Sequence, residues 1–146
     1  GCLAGRPVGV DGSTYGDHAL MRRLQACARV EIASFCPEAH VLGIPRPWCD
    51  IADGDGFDVL DGRARVLSET GEDVTEAFRE GARAMAAFAS EARCELAVLM
   101  DISAACGSQV IYRGAPRLGA TSTPPSCHGP DRAIFAVAVS APLKGR

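Results

Sequence analysis

The chain has 146 residues, 47% hydrophobic and 23% charged, with a formal net charge of −3. That length and balance suit a single domain, residues 1–146, and no basic stripe marks it as a partner for duplex nucleic acid. No apolar run is long enough to span a bilayer, and the first residues lack the basic-then-apolar order of a signal peptide. The expectation is therefore a cytoplasmic protein without a membrane partner, able to take a small base or nucleoside in a pocket.

In chain order, the first predicted helix covers residues 17–29, with Leu20, Leu24, Cys27 and Ala28 at helical spacing. Residues 31–35 read as a short strand that stops at Pro37, which has no N–H to give a ladder. Gly43, Pro45 and Pro47 make residues 42–47 a loop, and Asp53-Gly54-Asp55-Gly56 a turn. Residues 63–68 alternate as a strand does. The second helix is expected from a capping box of Asp73 and Glu76 to about Arg93, with Val74, Phe78, Met85 and Phe88 as its apolar stripe. Residues 96–100 are wholly apolar, the pattern of a strand covered on both faces. A loop over 101–107 follows, and residues 133–140 suit a last strand. Strand, helix and strand with continuous apolar strands predict an α/β fold. It would be a single Rossmann-like domain whose mostly parallel sheet is flanked by helices.

Ligands in such sheets sit beyond the carboxyl ends of the strands. Cys36 and Cys106 each lie just past a predicted strand, and Cys2 would do so if a strand preceded Gly1. The seven cysteines contain no CxxC pair, so zinc ribbons and thioredoxin-type motifs have no support. Any metal site has to be assembled from distant positions. Cys27 and Cys94 read as buried thiols on or beside helices, Cys49 as a structural or bystander thiol in the loop after Trp48 (the fourth-ligand candidate if a metal site were structural), and Cys127 as part of an exposed loop. For Cys2, Cys36 and Cys106, spacing alone leaves metal ligation and plain burial evenly matched.

The acidic run Asp53, Asp55, Asp58 and Asp61 fails the EF-hand pattern, because Phe57 takes a ligand position and no Gly stands at the sixth. It reads as turn-forming. His18 is expected to be exposed in a first helical turn, and His40 to lie near the Cys36 loop without a metal role.

Four stretches, in order, resemble one bacterial family, the thiouracil desulfidases and the formerly uncharacterised proteins around them. They are Cys2-Leu3-Ala4-Gly5-Arg6-Pro7-Val8 with Asp11-Gly12, and Cys36-Pro37-Glu38 with Gly43 to Pro47. The third is Gly54-Asp55-Gly56 with residues 58–65 and 71–78. The last is Ser103-Ala104-Ala105-Cys106-Gly107 with Ile111-Tyr112. The resemblance implies a [4Fe-4S] cluster held by Cys2, Cys36 and Cys106, with one iron left open to an external ligand. It implies desulfuration of a thiolated pyrimidine, 2-thiouracil to uracil and sulfide, with the substrate sulfur bound at that open iron. Glu38 maps to the general acid/base, and Ser103 to a residue that hydrogen-bonds substrate or water. The plain alternatives are a Glu38 carboxylate in solvent or paired with Arg46, and a Ser103 hydroxyl bonded to its own turn. Two rival functions use the same cysteines: cluster-dependent dehydration of a small hydroxy acid, and a structural or sensory iron–sulfur or zinc site. The chain departs from the family at Ala104 and Ala105, where Pro and Ser are usual, and after Tyr112.

Overall fold

The computed structural model describes residues 1–16, 18–100, 103–107 and 111. The expected strand at 133–140 and the Cys127 loop lie outside them.

A 3-10 turn, Cys2–Ala4, opens the chain. It is followed by α1 (Ala19–Gln25), α2 (Pro37–Leu42), β1 (Cys49–Ala52), α3 (Gly56–Leu60), β2 (Arg65–Ser68) and α4 (Thr75–Glu91). β1 and β2 form a two-stranded antiparallel sheet, with Cys49 opposite Ser68 and Ala52 opposite Arg65.

This corrects the expected fold class. Among the described residues no mostly parallel, Rossmann-like sheet is present; the one sheet is antiparallel. Two of the predicted strands have no ladder. Residues 31–35 are irregular, and their backbone and side chains are taken by other partners: Phe35 O accepts from Gly1 N at 2.7 Å, and the Phe35 ring stacks on Phe88 at 5.0 Å. Residues 96–100 also lie outside any strand, with Leu96 76% exposed. An apolar run states only that a segment gains by burial; it does not supply a strand beside it.

The strand that does pair with β2 is β1, within a stretch the sequence offered only as loop and turn. Its central residues, Asp50 and Ile51, are both buried. α3 sits between the two strands, and its start is set by Asp55. The Asp55 carboxylate accepts from Phe57 N and Asp58 N, while Asp58 accepts from Asp55 N. The capping box of this chain is thus at Asp55, not at Asp73. Asp73 instead accepts from the Thr75 amide and hydroxyl, and Glu76 pairs with Arg79. α2 begins with Pro37 at its first turn, where a missing N–H costs nothing.

α4 follows its predicted stripe. Val74 and Phe78 are buried, Met85 is packed against the core, and Phe88 meets Phe35. α1 is shorter than expected and buries Met21, whereas Leu20 is 57% exposed. The core gathers Ile51 and Val66 from the sheet, Val59 from α3, Phe78 and Ala82 from α4, and then Ala104, Ala105 and Ile111. The two alanines that depart from the family pattern are therefore core residues, and they seat the Cys106 turn directly on the core. Burial of these apolar side chains is the main stabilising term, worth roughly 1.5–3 kcal/mol for each large one.

Candidate metal centre

Three separate segments carry the three cysteines, and short-range bonds hold each in place. The Cys2 turn closes with Gly5, whose φ of 73° suits glycine, donating to Cys2 O at 3.0 Å. Besides the Gly1–Phe35 bond, Arg6 reaches Ser34 O at 3.3 Å, so this turn is clamped alongside residues 34–36. The approach is close enough that a Cβ on Gly1 would stand 3.2 Å from Cys36 Cβ. Cys36 is the extended residue preceding α2, and its carbonyl accepts from His40 N. It therefore ends no strand, as the sequence had suggested, but opens a helix.

Cys106 lies in a tight turn. The Ser103 hydroxyl oxygen accepts from the Ala105 and Cys106 amides, both at 3.2 Å, and Gly107 N donates to Ser103 O at 2.8 Å. Ser103 thus shapes the loop that presents Cys106. Its two acceptor positions are used, which leaves the hydroxyl proton as its remaining hydrogen-bonding capacity.

The electrostatics of these thiols report their convergence. Burial pushes the Cys106 thiol well above the ordinary thiol range, and the charges of Glu38, Cys2 and Cys36 push it further. Burial, then Glu38 and Asp50, raise Cys49 from 9.0 to about 12. Tyr15 is raised by burial, with Glu38 and Cys2 adding to it. Cys106 thus lies within electrostatic reach of Cys2, Cys36 and Glu38, Cys49 within reach of Glu38, and Tyr15 within reach of Glu38 and Cys2.

Glu38 is in the first turn of α2, and its Oε2 accepts from Arg46 Nε at 2.9 Å. The Arg46 side chain is 4% exposed and that of Glu38 20%. Among the described residues Glu38 Oε1 accepts no hydrogen bond.

The donor set fits an iron–sulfur cluster. Cys2, Cys36 and Cys106 are free thiols. The charges of Cys2 and Cys36 disfavour the ionised form of Cys106, so a Cys106 thiolate there calls for a cation beside it. Among the described residues no three His, Cys, Asp or Glu side chains are close enough to hold a single metal ion. A cubane asks for something else, since each thiolate binds a different iron and the donors stand further apart.

The other candidates fall elsewhere. Cys27 and Cys94 are partly buried free thiols. His18 precedes α1 with its Nε2 buried, a contrast with the exposed ring expected from sequence. The exposed His40 ring packs on Phe35. The acidic run forms the Asp55 cap and ion pairs of Asp58 and Asp61 with Arg63. A surface recess between Arg65, Asp73 and Arg79 holds none of the site residues. Sequence reasoning missed Tyr15 and gave Arg46 no role beyond a possible pairing with Glu38. The Pro-Arg-Pro element was the available signal for Arg46; Tyr15 had none.

The profile of the 2-thiouracil desulfurase family matches residues 1–131. The chain belongs to this family. The resemblance carried by the four sequence stretches is borne out, and the match extends well past Tyr112, where the sequence pattern had faded. The chain is similar to the uncharacterized protein YbbK of Bacillus subtilis (strain 168), at 36% identity over 110 residues, 73% of this chain and 72% of the relative. Among solved structures it is similar to a [4Fe-4S]-dependent thiouracil desulfidase, TudS, at 29% identity with a TM-score of 0.67. That likeness covers 94% of this chain and 80% of the other. The expected reaction class, desulfuration of thiouracil by an iron–sulfur enzyme, is the one these likenesses carry.

Proposed function

We propose that this 2-thiouracil desulfurase family member removes sulfur from a thiolated pyrimidine, using a [4Fe-4S] cluster held by Cys2, Cys36 and Cys106. The observation that supports this reading is the close approach of the Gly1–Cys2 turn to Cys36, with the free Cys106 thiol in electrostatic reach of Cys2, Cys36 and Glu38. When bound on three thiolates, such a cluster supplies an iron with an open position, a soft Lewis acid suited to sulfur.

The chain's own residues supply the rest. Glu38 is the general acid/base: one oxygen is anchored on Arg46, and the other is available to a water or a ring nitrogen. It takes a proton from the water that attacks the sulfur-bearing carbon and returns it to the ring nitrogen or the departing sulfur. Ser103 keeps the Cys106 turn closed and offers its hydroxyl proton to substrate or water. Tyr15 is exposed and feels the charges of Glu38 and Cys2. No electron leaves or enters in the net reaction, so no external redox partner is needed. Among the described residues no helix is long and apolar enough to cross a membrane.

The test is anaerobic reconstitution with iron and sulfide, followed by addition of 2-thiouracil. The expected outcome is a brown protein that consumes the thiouracil ultraviolet band and releases sulfide, while Cys36→Ser loses both colour and turnover. A Cys36→Ser variant that keeps both would overturn the reading.

A further inference from the structure

Arg46 is the most heavily bonded side chain around the site. Its Nε donates to Glu38 Oε2 at 2.9 Å, Nη1 to Gly9 O at 3.1 Å and Nη2 to Val8 O at 3.1 Å. Its backbone N–H donates to Val10 O at 2.9 Å. The side chain is 4% exposed, so each of these bonds is made out of water, where an unpaired guanidinium would be costly.

The three bonded groups belong to two different parts of the site. Val8 and Gly9 follow the Cys2 turn, and Glu38 follows Cys36 on α2. The 8–13 loop is itself tightly folded, with Gly9 N donating to Ser13 O and Gly12 N to Gly9 O. A Cβ on Gly9 would come within 2.7 Å of Ser13 O, so the loop has no slack at the point where Arg46 grips it. A planar guanidinium presents its donors in a fixed fork, so fixing two arms on backbone carbonyls also fixes where the third points.

We propose that Arg46 is the positioning residue of this site: anchored on the Val8 and Gly9 carbonyls, it aims the Glu38 carboxylate and locks it to the Cys2 loop. The carboxylate is then held in the geometry of the thiol cluster even though it stands on a helix of six residues, Pro37–Leu42, too short to be rigid by itself. Lysine cannot replace it, because one ammonium cannot reach Glu38 and both carbonyls in the same plane. This inference rests on the reading of Glu38 as the proton-transfer group.

The test combines Arg46→Lys, Glu38→Gln and the double variant, with turnover expressed per cluster from iron analysis. Arg46→Lys is expected to lower kcat about 10- to 100-fold with KM within about threefold, the signature of a misplaced group and not of lost binding. In the Glu38→Gln background the same change is expected to cost at most about twofold more, because its target is already gone. Hydrogen exchange of the iron-free protein gives a readout independent of activity. Amides of residues 9–13 are expected to exchange about tenfold faster in Arg46→Lys, with α4 unchanged. Full additivity of the two substitutions, or unchanged exchange over 9–13, overturns the proposal while leaving the Glu38 reading intact. Full turnover in Glu38→Gln alone overturns the Glu38 reading itself and the proposal with it.

Discussion

At the scale of single residues, the site is governed by what each side chain loses on leaving water. Cys49 loses solvent, faces the negative charges of Glu38 and Asp50, and has its thiol raised from 9.0 to about 12. The folded chain thus binds that proton more tightly than the unfolded one. Its contribution to stability is complete below pH 9, and it is lost as pH rises from the unfolded value through about 12. Urea melts of the iron-free protein between pH 8 and 11 are expected to show falling stability, with a shallower fall in Cys49→Ala. Cys2, Cys36 and Cys106 stood out in the sequence because each stands at a turn and within a recurring motif. Arg46 did not, because a lone arginine between prolines carries no sign of where three hydrogen bonds will land. Its partners Val8 and Gly9 are 38 and 37 residues away.

At the scale of elements, length separates what could be read from what could not. α4 has 17 residues, enough turns for Val74, Phe78, Met85 and Phe88 to print a helical period. α2, α3 and β1 have six, five and four residues, and a period cannot be read over so few. The capping box expected at Asp73–Glu76 does not close, and one forms instead at Asp55–Asp58, in a stretch read from sequence as a turn. Phe78 is fully buried and joins α4 to the sheet and to the Ala104–Ala105 turn. Phe78→Ala is expected to destabilise the chain by about 3–5 kcal/mol in denaturant melts, the cost of a large core cavity. Because the Cys106 turn shares that core, the variant is also expected to retain less iron after reconstitution.

At the scale of the whole molecule, the three cysteines stand on separate segments, two of them tied by hydrogen bonds and the third seated on the core. The Cys2 turn is bonded to Phe35, just before α2, and Cys106 in the 103–107 turn feels the charges of Cys2 and Cys36. A cluster held as proposed by Cys2, Cys36 and Cys106 would cross-link all three segments and, binding only the folded chain, would stabilise it by mass action. A ligand at a thousand times its dissociation constant adds about 4 kcal/mol. Removing iron with a chelator under anaerobic conditions is expected to lower Tm by about 10 °C. The same loss is expected without chelator in Cys36→Ser, and an unchanged Tm after iron removal would place the cysteines outside any shared site.

The sequence by itself determined the chemistry on offer, the long amphipathic helix and, through four short motifs, membership of the family. Each of these is written in residues close to one another along the chain. The tertiary structure decided the rest. The segments predicted as strands at 31–35 and 96–100 did not become strands of a parallel sheet, and the ladder formed instead between Cys49–Ala52 and Arg65–Ser68. Only folding placed Gly1 against Cys36 and let Arg46 span two loops. The physical reason is range. Helical period and capping depend on neighbours within about four residues. Strand pairing and the meeting of thiols depend on partners tens of residues away, and on which of several competing burials the core accepts.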